Sequence, residues 1–128
     1  MGLSMMIVED DRAAIEILAF MIPRKYPQFT VELAFDGQMG LELFKERRPE
    51  LVLTDINMPK MDGIRMSEGI KEIAPDTRII VMTAYSDKIH QDKFSELGIS
   101  DYLLKPIEFG KLFAAIEKAT RELRTERC

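Results

Sequence analysis

Leu51-Val52-Leu53-Thr54-Asp55, continued by Ile56-Asn57-Met58-Pro59-Lys60-Met61-Asp62-Gly63, is the stretch that decides the fold. Leu51-Val52-Leu53 is a short apolar run without alternation. A strand of that kind is buried on both faces, as strands of parallel sheets are. Asp55 ends the run. Pro59 and the Asp62-Gly63 pair read as a tight loop that fixes Asp55 above the sheet. Gly63 opens a helix with Met66, Ile70 and Ile73 facing inward, and Pro75 lies just past its end.

The same alternation of short apolar run and helical period extends both ways. Met5-Met6-Ile7-Val8 is a first run, and Ala14, Ile17, Leu18, Met21 and Ile22 then recur at helical spacing. Pro23 should end or bend that helix near its last turn. Thr30 to Ala34 alternates and reads as an edge strand. Asp36-Gly37 reads as a turn with a helix cap, followed by a helix with Gly40, Leu43 and Phe44 on one face. Ile79-Ile80-Val81-Met82 is a further buried run. Asp87 to Leu97 is helical but poor in apolar residues, and Gly98 stops it. Tyr102-Leu103-Leu104 is the last strand, and Leu112, Ala115, Ile116 and Ala119 mark the last helix. Five strand-then-helix units predict a three-layer, doubly wound α/β fold with a parallel sheet. One domain over residues 4–121 accounts for them. Residues 122–128 read as a charged tail or linker, and residues 1–3 as an expression remnant.

The chain's 128 residues suit one domain and bury roughly two thirds of the unfolded surface. Apolar residues make up 46% and charged residues 31%, an ordinary soluble composition. A net charge of −4 and a pI near 5.1 speak against nucleic-acid binding by this domain. Cys128 is the only cysteine, so neither a disulfide framework nor a zinc cluster arises and a cytoplasmic location is expected. No apolar run approaches the roughly 18 residues of a membrane span.

Ligands of such sheets bind beyond the carboxyl ends of the strands, where strand order reverses. The residues there are Glu9-Asp10-Asp11, Asp55-Ile56-Asn57, Thr83-Ala84 and Lys105-Pro106. Asp10, Asp11 and Asp55 should converge, and like charges at that range need a cation. Hard oxygen donors favour Mg²⁺, with Mn²⁺ as a substitute, and the Asn57 backbone carbonyl would complete the set. Asp10-Asp11 also reads as a helix cap pair, and the two roles are compatible. Asp55 is either a solvated strand end or a nucleophile for phosphoryl transfer through an acyl phosphate. Lys105 is either a solvated loop lysine or the charge balance for Asp55 and a transferring phosphoryl. Thr83 is either a plain strand residue or a hydroxyl donor to that phosphoryl. Catalysis of this kind is mainly positioning and charge neutralisation. A cis bond before Pro106 would aim Lys105 into the rim.

Together, Glu9-Asp10-Asp11, Leu53 through Gly63, Met82-Thr83-Ala84 and Tyr102-Leu103-Leu104-Lys105-Pro106 resemble the receiver domain of bacterial two-component response regulators. The resemblance spans Ser4 to Arg121. It implies the CheY-like strand order 2-1-3-4-5 and a Mg²⁺-dependent transfer to Asp55 from a phosphohistidine. The donor would be a sensor histidine kinase or a histidine phosphotransfer domain. It also implies Asp10 and Asp11 as the acidic metal pair, Thr83 as the switch hydroxyl, Lys105 as the family lysine and Tyr102 as the switch aromatic. Phosphorylation would then change the surface of the fourth helix, last strand and last helix (α4-β5-α5), which controls a partner or fused output domain. Asn57 and Tyr85, two positions beyond Asp55 and Thr83, would tune the phosphoryl lifetime. His90 reads as a surface residue.

Three rivals stand beside this reading. A Mg²⁺-dependent aspartate-nucleophile phosphatase of the haloacid-dehalogenase type calls for Asp-x-Asp, but Ile56-Asn57 follows Asp55. A nucleotide-binding module requires a glycine-rich loop after the first strand, where Glu9-Asp10-Asp11-Arg12 stands. A receiver that only docks and is never phosphorylated would have no need of the complete site.

Overall fold

The computed structural model describes residues 2–84 and 88–127, with backbone alone for 88–91 and 127. Its elements are β1 (Leu3–Val8), α1 (Arg12–Lys25), β2 (Phe29–Ala34), α2 (Gly37–Arg47), β3 (Leu51–Asp55), α3 (Gly63–Ile73), β4 (Arg78–Thr83), α4 (Lys88–Leu97), β5 (Asp101–Leu104) and α5 (Phe109–Arg127). The five strands form one sheet in the order β2-β1-β3-β4-β5, and every neighbouring pair is parallel. The three-layer α/β expectation and the alternating strand at an edge both hold.

Period-two alternation within each strand divides the core into two layers. Met5, Ile7, Leu51, Leu53, Ile80 and Met82 face α1 and α5, against Ile15, Ile22, Leu112 and Ile116. Met6, Val8, Val52, Ile79 and Val81 face the other helices, against Phe44, Met66, Ile70 and Phe94. Both faces being covered is why these runs lack polar residues.

Two local readings differ, and one holds. The buried stripe of α1 is Ile15, Leu18 and Ile22, whereas Ile17 is 51% exposed. The helix meets the sheet along a narrow line, so the apolar residue one step around it faces outward. Pro23 lies in the last turn of α1, two residues before its end, in agreement with the reading that the helix stops near it. Helix α5 continues through the expected tail to Arg127, with Leu123 buried, and β1 begins at Leu3 in register with Phe29. The ordered elements therefore extend past the expected limits of 4 and 121 at both ends.

Three helix starts at the rim, those of α1, α2 and α3, have acidic caps. Asp11, Asp36 and Asp62 accept backbone N–H groups at the starts of α1, α2 and α3, satisfying donors that a helix N-terminus leaves unpaired.

Candidate functional site: an acidic rim around Asp55

The strand order reverses between β1 and β3, since β1 connects outward to β2 and back across to β3. In register, Val8 lies beside Thr54, so the next residues, Glu9 and Asp55, end neighbouring strands. Asp55 is 8% exposed. Its Oδ1 accepts the Ile56 N–H at 2.8 Å.

The loop after Asp55 is packed backbone against backbone. The Gly63 N–H donates to the Ile56 carbonyl at 2.8 Å and the Gly37 N–H to the Met61 carbonyl at 3.1 Å. A Cβ on Gly63 would stand 2.1 Å from the Asp55 carbonyl oxygen. Glycine is required there by proximity, since only a hydrogen fits.

Lys105 follows β5. Its backbone N–H donates to the Thr83 carbonyl at 2.8 Å, which joins the ends of β4 and β5. The Lys105–Pro106 bond is cis, the geometry anticipated from sequence. Lys105 Nζ lies 3.2 Å from Asp55 Oδ2 and 3.0 Å from Glu9 Oε1. Burial works against the ammonium, but the bond to Glu9 and the charge of Asp55 outweigh it and hold Lys105 above its ordinary range. Thr83 is buried at the end of β4.

Glu9 is the residue that sequence reasoning missed. It is 1% exposed. One carboxylate oxygen takes the Lys105 ammonium, and the other accepts the Asp11 N–H at 3.2 Å. Burial pushes the Glu9 carboxyl above the usual carboxylate range and Asp55 adds to this, against the opposing bonds from Lys105 and Asp11. Glu9, Asp10 and Asp55 each present a carboxylate oxygen, all within 4.8 Å of one another. Three hard oxygens at that separation suit a small divalent cation such as Mg²⁺.

The expected trio of Asp10, Asp11 and Asp55 therefore needs correcting. Asp10 and Asp55 come together, but Asp11 turns away. Its Oδ1 accepts the N–H groups of Ala13 at 3.0 Å and Ala14 at 3.4 Å, so its carboxylate is engaged as the α1 cap. Among the described residues the third member is Glu9.

Asn57 is exposed beside the site. Tyr102 lies on β5, at the sheet edge, in register with Val81. It is 36% exposed, and its ring is 5.5 Å from that of Phe94 on α4. Tyr85 and the side chain of His90 lie outside the described residues.

Residues 5–117 match the family model of the response regulator receiver domain. The chain belongs to this family. The receiver is 35% identical over 118 residues to the transcriptional regulatory protein DltR of Streptococcus agalactiae, covering 92% of this chain and 52% of that one. It is 31% identical over 126 residues to the response regulator MprA of Mycobacterium ulcerans, covering 98% of this chain and 53% of that protein. The chain thus spans about half the length of these curated relatives. Among solved structures, the N-terminal domain of an uncharacterized protein (WS1339) from Wolinella succinogenes is 36% identical. It superposes with a TM-score of 0.88, covering 99% of this chain and all of that one. A CheY-like receiver domain protein from Methanospirillum hungatei has a TM-score of 0.91 at 24% identity over 98% of this chain and 99% of that one, a likeness of fold. This is a receiver domain of two-component response regulators. No helix among its described residues is long and apolar enough to cross a membrane.

Proposed function

We propose that Asp55 accepts a phosphoryl group from a phosphohistidine carried by a sensor histidine kinase or a histidine phosphotransfer domain, in the cytoplasm. A carboxylate oxygen of Asp55 attacks phosphorus. The new O–P bond forms as the P–N bond to the donor imidazole breaks, and the imidazole nitrogen keeps the electron pair. Water later cleaves the acyl phosphate and restores the carboxylate. The chemistry is signalling, with no metabolic product. The observation that carries this reading is the Asp55 carboxylate held at a strand end within 3.2 Å of Lys105 Nζ.

Asp10 and Asp55, with Glu9 behind them and the Asn57 carbonyl alongside, are the groups that would hold Mg²⁺ or Mn²⁺. The bound ion supplies neutralisation of the phosphoryl oxygens. Lys105 balances the remaining charge and orients the phosphoryl. Thr83 donates its hydroxyl to a phosphoryl oxygen on Asp55, and Tyr102, with its ring now at the surface, turns inward as Thr83 moves. The α4-β5-α5 face changes with them and is read by a partner or a fused output domain. Asn57 and Tyr85 flank the phosphoryl and set its lifetime through access of water. The domain itself binds neither nucleic acid nor membrane.

The test is incubation with Mg²⁺ and acetyl phosphate, followed by intact-mass measurement. A single hydroxylamine-labile phosphoryl adduct is expected, absent in Asp55→Asn and without Mg²⁺. An adduct that survives Asp55→Asn overturns the assignment. Multiple turnover on phosphate esters would point to a phosphatase instead.

A further inference from the structure

Helix α5 ends in a way that apolar packing does not explain. Its regular core contacts, Leu112, Ala115, Ile116 and Ala119, are buried, and beyond Arg121 only Leu123 reaches the core among the described residues. Glu122 and Glu126 lie four residues apart around that leucine, in the last two turns. A helix C-terminus disfavours glutamates. Arg121, Arg124 and Arg127 share these turns, but the cation bonded to both Glu122 and Glu126 comes from outside the helix.

Arg78 brings it. This residue starts β4 on the sheet, and its side chain is 18% exposed. Its Nε lies 3.2 Å from Glu122 Oε1, and Nη2 pairs with Glu126 Oε1. Nη1 donates to the Asp76 carbonyl at 2.9 Å. The guanidinium fork is planar and its donors are fixed relative to one another. Burial opposes the charge, but the two glutamates outweigh it and raise Arg78 above its ordinary range. The backbone below is equally fixed, since the Arg78 N–H donates to the Glu50 carbonyl at 3.1 Å.

We infer that Arg78 is a clamp that sets the direction in which α5 leaves the domain, and that residues 122–127 are a separately detachable unit. Among the described residues, the Leu123 contact and the Arg78 guanidinium hold this segment, with the Lys71 charge also acting on Glu126, whereas the preceding turns hold through the core. Local opening of such a segment requires far less free energy than opening the sheet. Glu122 and Glu126 are 42% and 45% exposed, so salt reaches and weakens the pairs. In a longer chain, a segment following α5 inherits its direction from this clamp. The inference stands independently of the chemistry assigned to Asp55.

Hydrogen–deuterium exchange tests it on the full chain. Arg78→Met keeps the aliphatic stem without the charge, and the double variant Glu122→Gln/Glu126→Gln removes the partners while leaving β4 intact. Amides of residues 122–127 should exchange about tenfold faster in both variants, the loss of one charge-assisted anchor. The wild type in about 1 M salt, where screening acts over about 3 Å, should change in the same direction. Amides of β1, β3 and β4 should keep their rates. Unchanged exchange at 122–127 in both variants overturns the clamp. Acceleration shared equally by the sheet overturns the detachable unit, because the ion pairs would then support only global stability.

Discussion

Lys105 Nζ sits 3.0 Å from Glu9 Oε1, nearer than to the Asp55 oxygen it is proposed to serve, at 3.2 Å. One ammonium is thus shared between a buried carboxylate and the phospho-acceptor. Three carboxylates meet one lysine at this rim, and without a cation the charges do not balance.

That imbalance predicts a stability gain from Glu9→Gln. Burial raises the Glu9 carboxyl above its ordinary range, so ionising it in the fold is unfavourable. The contribution of a group with a raised folded value is present below its unfolded pKa and lost as pH rises through the folded one. In metal-free buffer the variant should be more stable than wild type at pH 7, where the wild type must ionise a buried carboxyl. The difference should vanish below the ordinary glutamate range. Urea unfolding at both pH values measures this, and a less stable variant at pH 7 contradicts it.

Asp10 and Asp11 should separate cleanly in their response to Mg²⁺. A ligand present at about ten times its dissociation constant stabilises by about 1.4 kcal/mol, visible as a rise in Tm. Asp10→Asn should lose most of that rise. Asp11→Asn should keep it, because asparagine caps a helix as well as aspartate. Asp11→Ala should keep the Mg²⁺ response while losing about 1 kcal/mol of stability through the cap. If Asp11→Asn abolishes the Mg²⁺ response, the corrected cluster is wrong.

Gly63→Ala should damage the site from the backbone side. A Cβ would stand 2.1 Å from the Asp55 carbonyl oxygen and 3.1 Å from the Ile56 Cα. Neither neighbour is a flexible side-chain tip. A loss of roughly 2–4 kcal/mol is expected, in the range of severe overpacking. The yield of phosphorylated Asp55 should fall in the fraction that still folds. Wild-type stability by thermal unfolding would refute the close approach.

Arg48→Gly should stabilise the domain. Arg48 caps α2 with φ 48° and ψ 56°, the left-handed region that costs a side chain about 1 kcal/mol. Its N–H already donates to the Phe44 carbonyl at 2.8 Å, so glycine keeps the bond and relieves the strain. A gain of about 0.5–1 kcal/mol in chemical unfolding is expected, against some added freedom in the unfolded chain. Phosphorylation of Asp55 should be unaffected.

The order of layers was legible because burial on both faces leaves a direct mark: Leu51-Val52-Leu53 and Ile79-Ile80-Val81-Met82 have no polar residue at either parity. The positions of Asp55 and Thr83 were legible for the same reason, since each ends such a run. That of Lys105 was legible because it follows the short strand Tyr102-Leu103-Leu104 and strand ends converge in a parallel sheet. Helix α1 was less so. Ile17 fits the helical period as well as Leu18 does, but only packing against the sheet decides which is covered. The last turns of α5 were read as a tail because Leu123 stands alone among charges, and the Arg78 clamp that holds them comes from a residue 44 positions earlier.

What the sequence determined by itself was the alternation of elements, their two-sided burial and the set of charged residues at one rim. Tertiary structure alone decided which acids of Glu9-Asp10-Asp11 face Asp55. Pleating is the reason for Glu9: Glu9, Asp55 and Lys105 lie two residues beyond Ile7, Leu53 and Leu103, which share one face of the sheet. Their side chains therefore continue on that face and meet. Asp10 joins them from the loop after β1. Asp11 has already left the strand, and the unpaired N–H groups of α1 claim its carboxylate.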